Sequence, residues 1–245
     1  MCENCAKHGD GKKWYLRAKN YSDDLASDIR RRRTAIKWFD YFKFKLADDL
    51  DRLEQVYPKV PNPLRPLIGS LVTIRQRREH FGQVVPIEDI GKILSIVSSV
   101  VRVPCACRRV TLGREVRYCL GISITPENNM VNIINPSHWE GPDTSGMDTL
   151  TTSEAYDFMK GLEEDGAVHS IWTFNTPFIG RICNCDRSDC VAMRARVKHG
   201  IKVMYKGEYI DQSKCYGCGV CRADCGSKAI SLVDRSSIPL FARDW

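Results

Sequence analysis

Four cysteines stand within eleven residues near the end of this 245-residue chain, in the run Cys215-Tyr216-Gly217-Cys218-Gly219-Val220-Cys221-Arg222-Ala223-Asp224-Cys225. C-x2-C-x2-C-x3-C is a spacing that holds an iron–sulfur cube: three thiolates wrap one cluster and the fourth reaches toward a neighbour. Gly217 and Gly219 let the backbone fold closely around such a cube and turn N–H groups toward its sulfurs. A zinc knuckle would need two well-separated C-x2-C pairs, which this segment lacks.

Eight further cysteines bring the total to twelve. Cys183-Asn184-Cys185, followed by Cys190, forms C-x-C-x4-C, and its Asn, Asp, Arg and Ser neighbours make poor core material. These three thiolates are the natural complement of Cys225. Pro104-Cys105-Ala106-Cys107-Arg108-Arg109 repeats the theme, with Cys119 twelve residues on. Cys119 lies inside a strand pattern, where a buried cysteine with no ligand role is equally at home. Arg108 and Arg109 would flank an anionic cluster, raise its potential and offer a dock to an acidic partner. For Cys2 and Cys5, with His8 nearby, three readings stand: ligands of a third cluster, a zinc site, or an unstructured tip. Thiols this crowded rarely reach disulfide geometry without strain, whereas chelation requires that they converge. Two [4Fe–4S] clusters are expected, and twelve thiols permit three.

The elements that must position these cysteines predict an α+β fold. Ile29, Ile36, Phe39, Phe42, Leu46, Leu50 and Leu53 recur at helical steps, so one long helix is expected from Asp23 to Val56. Before it, residues 1–20 read as a polar arm or a small ligand loop, and after it Pro58, Pro61, Pro63 and Pro66 form a stiff connector. Helices are expected over 67–80 and 87–99, and strands over 100–103, 116–124, 130–134 and 167–174. Residues 135–148 read as loop. Thr151-x-x-Glu154 is a capping box that opens a helix stopping near Gly166, and a short basic helix follows Cys190 as far as Gly200. The organisation is an N-terminal arm and helix over 1–66, a central small-sheet domain with cysteine loops over 67–180, and a C-terminal iron–sulfur lobe over 181–245.

The net charge of +7 is spread along the chain and is offset by any bound anionic cluster, so nucleic acid is not the expected partner. Arg30 to Arg33 lie mid-helix and point around most of its circumference, which reads as a solvated face. Trp38, Phe39, Phe42 and Phe44 read as packing residues, and His138 and His169 as structural or surface histidines. No stretch is long and apolar enough to span a membrane. The N-terminus lacks signal-peptide features, so a cytoplasmic location is expected. Dinucleotide, P-loop and nucleophile-elbow motifs are absent from the sequence.

Residues 206–234 resemble a bacterial-type ferredoxin domain, with Gly226 where proline is usual and without the second cysteine repeat. Over residues 87–234 the chain also resembles a poorly characterised family of ferredoxin-like iron–sulfur proteins from anaerobic bacteria and archaea. That resemblance is carried by Pro104-Cys105-Ala106-Cys107-Arg108, Glu164-Asp165-Gly166-Ala167-Val168-His169, Ile182-Cys183-Asn184-Cys185 and the ferredoxin motif. It implies clusters and redox work, and names no reaction. The expected function is electron relay between redox protein partners. The rivals are a fixed electron-transfer subunit of a larger reductase, docked through the 23–56 helix, and a redox-sensing regulator that binds nucleic acid. Cys218→Ser is expected to remove one whole cluster and destabilise the C-terminal lobe, because ligation supplies much of the folding energy of a small metal-bound lobe. Unchanged iron content and an unchanged unfolding transition would take Cys218 out of the ligand set.

Overall fold

The computed structural model describes residues 14–113, 115–127, 147–185 and 189–201, together with Asn132, Ser137, Met204, Tyr205 and Cys218. The strand expected over 130–134, the Cys2/Cys5 segment and the ferredoxin-like stretch 206–234 lie outside the described residues, apart from Asn132 and Cys218, and the lobe expected over 181–245 is described only at 181–185, 189–201, Met204, Tyr205 and Cys218. Within them the fold is α+β: helices at the N-terminal side and an antiparallel sheet behind them.

The single helix expected over 23–56 is three: α1 (Asp23–Ser27), α2 (Ile29–Phe44) and α3 (Leu46–Val56). Asp28 sits between the first two in extended conformation, and its carboxylate accepts from the N–H groups of Arg30 (2.8 Å) and Arg31 (3.1 Å). That is an N-cap, so the arginine run occupies the first turn of α2 and not the middle of a longer helix. Lys45 leaves helical geometry between α2 and α3. Hydrophobic periodicity continues across both joints because a one-residue break scarcely changes which side of each helix meets the protein. Arg31 donates to the Asn175 carbonyl, and the Asn175 amide donates to Thr34 Oγ1 (2.9 Å), pinning α2 to the turn after β5 (Val168–Thr173).

The described part of residues 1–20 is no polar arm. Trp14, Tyr15 and Tyr21 are buried in the main core, where Trp14 Nε1 donates to Gln83 (2.8 Å) and the Tyr15 hydroxyl to Asp89 (2.8 Å). The aromatic residues share one short stretch with Lys and Arg, which masks them in a compositional reading.

After α4 (Arg65–Glu79) come β1 (Gly82–Val84), α5 (Ile87–Ile96), β2 (Ser99–Val103), α6 (Ala106–Leu112) and β3 (Cys119–Ser123). Then follow β4 (Asp148–Leu150), α7 (Thr152–Glu164), β5, β6 (Ile179–Cys185), α8 (Val191–His199) and β7 (Met204–Tyr205). Six strands in the order β4-β2-β3-β6-β5-β1 are antiparallel, and the two-residue β7 joins β1 in parallel. The capping box on α7 is present: Glu154 N–H donates to Thr151 Oγ1 and Thr151 N–H to the Glu154 carboxylate. Gly166, at φ 89, then turns the chain from α7 into β5, a conformation that a residue with a Cβ adopts at a cost. β1, β4, α6 and β6 have no counterpart in the sequence expectations. β1 and β4 are three residues each, too short for a period-two pattern to stand out.

One sheet face carries Val100, Leu120, Ile122, Ile171 and Ile182, which pack on Ile90, Ile93 and Leu94 of α5 and Ala155 and Met159 of α7. Ile90, Ile93, Leu120, Ile122, Ile171 and Ile182 are fully buried, and each contributes roughly 1.5–3 kcal/mol. The other face carries the cysteines. At its β1 end the Trp172 ring lies against Gly82: a Cβ there would sit 2.7 Å from the ring. Gly82→Ala is therefore expected to displace Trp172 and cost about 1–3 kcal/mol in denaturant unfolding. An unchanged midpoint with unchanged Trp fluorescence would show that the ring is not packed against Gly82.

Candidate metal centre

Alternation along β6 sends Arg181, Cys183 and Cys185 to one side and Ile182 to the other. The register Leu120↔Ile182 and Gly121↔Arg181 carries one step further, bringing Cys119 opposite Cys183. Val103 pairs with Cys119, and two residues beyond it Cys105 caps the start of α6, its sulfur 3.2 Å from Cys119 Sγ. The Tyr118 N–H donates to Cys105 Sγ (3.1 Å). At the second residue of α6, Cys107 meets Cys185 and Cys190, the residue that caps α8.

Six cysteines from β6, β3, α6 and the start of α8 thus share one face. Cys119 meets Cys105 and Cys183, and Cys107 meets Cys185 and Cys190, while Cys183 also packs against the Cys185/Cys190 group. Sequence spacing groups Cys183, Cys185 and Cys190 together. In the fold Cys183 joins Cys105 and Cys119, because antiparallel pairing and not proximity in sequence selects its neighbour.

Each group has one acidic thiol. Cys119 is held well below its ordinary pKa by hydrogen bonds from Cys105 and Cys183 and by the Arg181 guanidinium. Cys107 is held low by Cys185 and Cys190 and by the Val191 N–H at the first turn of α8. The donors go the other way: burial raises Cys105, and the contact with Cys107 pushes Cys190 up to about 12. A second α8 amide, that of Met193, points at Cys190. Thiolates at a helix N-terminus gain from its unsatisfied N–H groups and dipole.

Two buried arginines complete the electrostatics. Arg108 bonds Asp189 (3.2 Å) and the Asn184 carbonyl (2.7 Å) and lies over the Tyr118 ring. Arg181, 5% exposed, donates to the Pro104 carbonyl (2.8 Å), and its Nε has no hydrogen-bond partner. No carboxylate pairs with Arg181 among the described residues. Cys119, the acidic thiol of its group, lies beside it with Cys183 and Cys105 near, and together these sulfurs outweigh burial and keep the guanidinium protonated. An unscreened buried cation of this kind calls for an anion. Arg108 was marked by its place beside a C-x-C. Arg181 was not, although its position two residues before Cys183 on a strand puts it on the same face.

Beside the thiols lies a cavity of about 230 Å³ whose wall includes Cys107, Cys119, Cys183, Cys185, Cys190 and Arg181. Helices from the N-terminal side roof it with Trp38, Phe42 and Leu46, and His80 and Trp172 stack across it with centroids 4.9 Å apart. His80 is pushed down to about 4 by burial, so it is neutral, its Nδ1–H donating to the Thr173 carbonyl (2.6 Å). Phe39 stacks on Phe174 at 5.8 Å, so these aromatic residues pack as expected, while Phe44 is exposed. His169 is a buried structural residue bonded to the Asn184 side chain (2.8 Å). Among the described residues no group of three or more His, Cys, Asp or Glu converges as on one metal ion. The 3.2 Å sulfur separation is shorter than the roughly 3.8 Å between two thiolates on one tetrahedral zinc. A polynuclear cluster takes one thiolate per iron, and the adjoining cavity is the space into which these sulfurs would part around one. The donor set, the buried cation and the space fit such an anionic group.

Cys218 is exposed, and Cys2, Cys5, Cys215, Cys221 and Cys225 lie outside the described residues. Comparisons with protein-family models, curated proteins and solved structures returned no match for this chain.

Arg181→Met separates the two uses of that charge. Without metal the variant is expected to be as stable as the parent or up to about 4 kcal/mol more stable, because the thiols left behind can take up protons. Loaded with metal, it is expected to release the metal to a chelator faster. Marked destabilisation of the metal-free variant would instead make Arg181 a structural strut.

Proposed function

We propose that this chain is an iron–sulfur electron-transfer protein that relays low-potential electrons between redox partner proteins. The observation that carries the reading is the assembly of six cysteines on one face, three of them beside Arg181, a buried cation with no carboxylate partner among the described residues. [4Fe–4S] clusters supply one-electron chemistry at potentials that the surrounding protein sets over about −700 to +450 mV. Here the chain's own residues do the setting. Arg181 and Arg108 add positive charge beside the thiolates, the α8 amides hydrogen-bond them, and the aromatic roof limits water. The positive charge and N–H donors favour the reduced form, while the low-dielectric roof disfavours the added negative charge.

Among the described residues no nucleophile–base pair accompanies these thiols: the histidine on the cavity wall, His80, is neutral and committed to a carbonyl. Relay suits the site better than stand-alone catalysis. Two clusters are the proposed complement, with three the number that twelve cysteines permit.

A fixed subunit of a larger reductase is the second reading, favoured by one surface. Leu64, Leu67, Leu71 and Ile74 are 48–60% exposed and follow a three-four-three spacing along α4. A helical stripe of this kind fits burial against another chain. The sequence pointed to the 23–56 helix as the dock; the continuous stripe is on α4. No described helix is long and apolar enough to cross a membrane.

Anaerobically purified full-length protein is expected to be brown and to carry iron and acid-labile sulfide in equal amounts, about eight of each per chain. Stoichiometric zinc without sulfide would overturn the reading.

A further inference from the structure

Both C-x-C pairs place their two thiols in different company. Cys105 touches Cys119 at 3.2 Å, and Cys119 faces Cys183 across the β3–β6 pairing. Cys107, the second residue of α6, is turned instead toward Cys185 and Cys190. Cys185 lies beyond the start of β3, so it has no cysteine opposite it there and meets the start of α8. From this geometry we infer that the six thiols form two adjacent metal–thiolate centres, Cys105, Cys119 and Cys183 in one and Cys107, Cys185 and Cys190 in the other. The inference rests on the iron–sulfur reading and deepens it: each C-x-C bridges the two centres and does not chelate one.

The surroundings divide along the same line. Arg181 faces the first group, Cys119, Cys183 and Cys105. The α8 amides of Val191 and Met193 face the second. Packing follows the same division, with Cys105 and Cys119 in one buried cluster, Cys185 and Cys190 in another, and Cys183 touching both. Two centres joined through single residues, Ala106 and Asn184, would be close enough to exchange electrons directly.

The test uses the full chain, reconstituted anaerobically with iron and sulfide, and single Cys→Ser variants read by metal content and electron paramagnetic resonance, each checked by far-UV circular dichroism. Cys183→Ser and Cys105→Ser are expected to erase one signal and the same share of iron. Cys185→Ser and Cys190→Ser are expected to erase a different one. Cys105→Ser/Cys183→Ser should lose no more than either single variant, because residues serving one unit are not additive. Cys183→Ser/Cys185→Ser should lose both shares. If Cys183→Ser and Cys185→Ser erase one common signal and their double variant loses no more, the pairs chelate jointly and the inference fails. Should Cys183→Ser not fold, Cys119→Ser reports for the first centre, and Cys107→Ser stands in likewise for the second. Zinc without sulfide would sink the iron–sulfur reading alone, and zinc content of the same variants would then decide the partition. A parent chain that retains neither metal overturns both.

Discussion

With Leu120 held opposite Ile182, the odd-numbered residues of β6 from Arg181 to Cys185 must face away from the core that α5 and α7 form. That register is the constraint on which the site depends. A slip of one residue would bury Arg181 and two thiols among isoleucines and expose Ile182, so the hydrophobic face enforces the chemical one. The fully buried Ile171 and Ile182, directly paired across β5 and β6, hold it from the other side of the same strand.

The charges follow from this placement. Arg181 cannot reach water, and the acceptors it meets are the Pro104 carbonyl and the thiols around it. Removing a guanidinium from water costs several kcal/mol after relaxation, a cost that thiolates or an anionic cluster offset and neutral thiols do not. The same argument explains why the sulfurs titrate so differently. A thiol that accepts two S–H bonds near a cation or a helix terminus ionises easily, and its donors then hold their protons more tightly.

The N-terminal helices belong to the site as much as the sheet does. Trp38 and Phe42 pack on His80, and Phe39 stacks on Phe174 and lies under Arg181. α2 is fixed there by the Asp28 cap at one end and the contacts of Arg31 and Thr34 with Asn175. This roof keeps the cavity apolar on one side while the thiols line the other, which is the contrast needed to hold a charged inorganic group away from solvent.

Much of this was open to reading in the chain itself. The C-x-C of residues 183–185 had to show both thiols on one side once it lay in a strand, and the Thr151–Glu154 box and Gly166 mark the two ends of α7, because these signals act through adjacent backbone. The α+β class and the concentration of cysteines were equally local facts. Tertiary structure alone decided which thiol meets which. Cys183 stands nearer Cys185 along the chain than Cys119 does, yet strand pairing turns it to Cys119, and α8 begins where Cys190 can reach Cys107. It also decided that Asp28 ends one helix and begins another, that Trp14 and Tyr15 enter the core, and that Arg181 is buried. Each of these depends on a partner dozens of residues away or on competition between a cap and a continuing helix. Composition and periodicity carry neither, since they describe what a residue prefers and not what it finally faces.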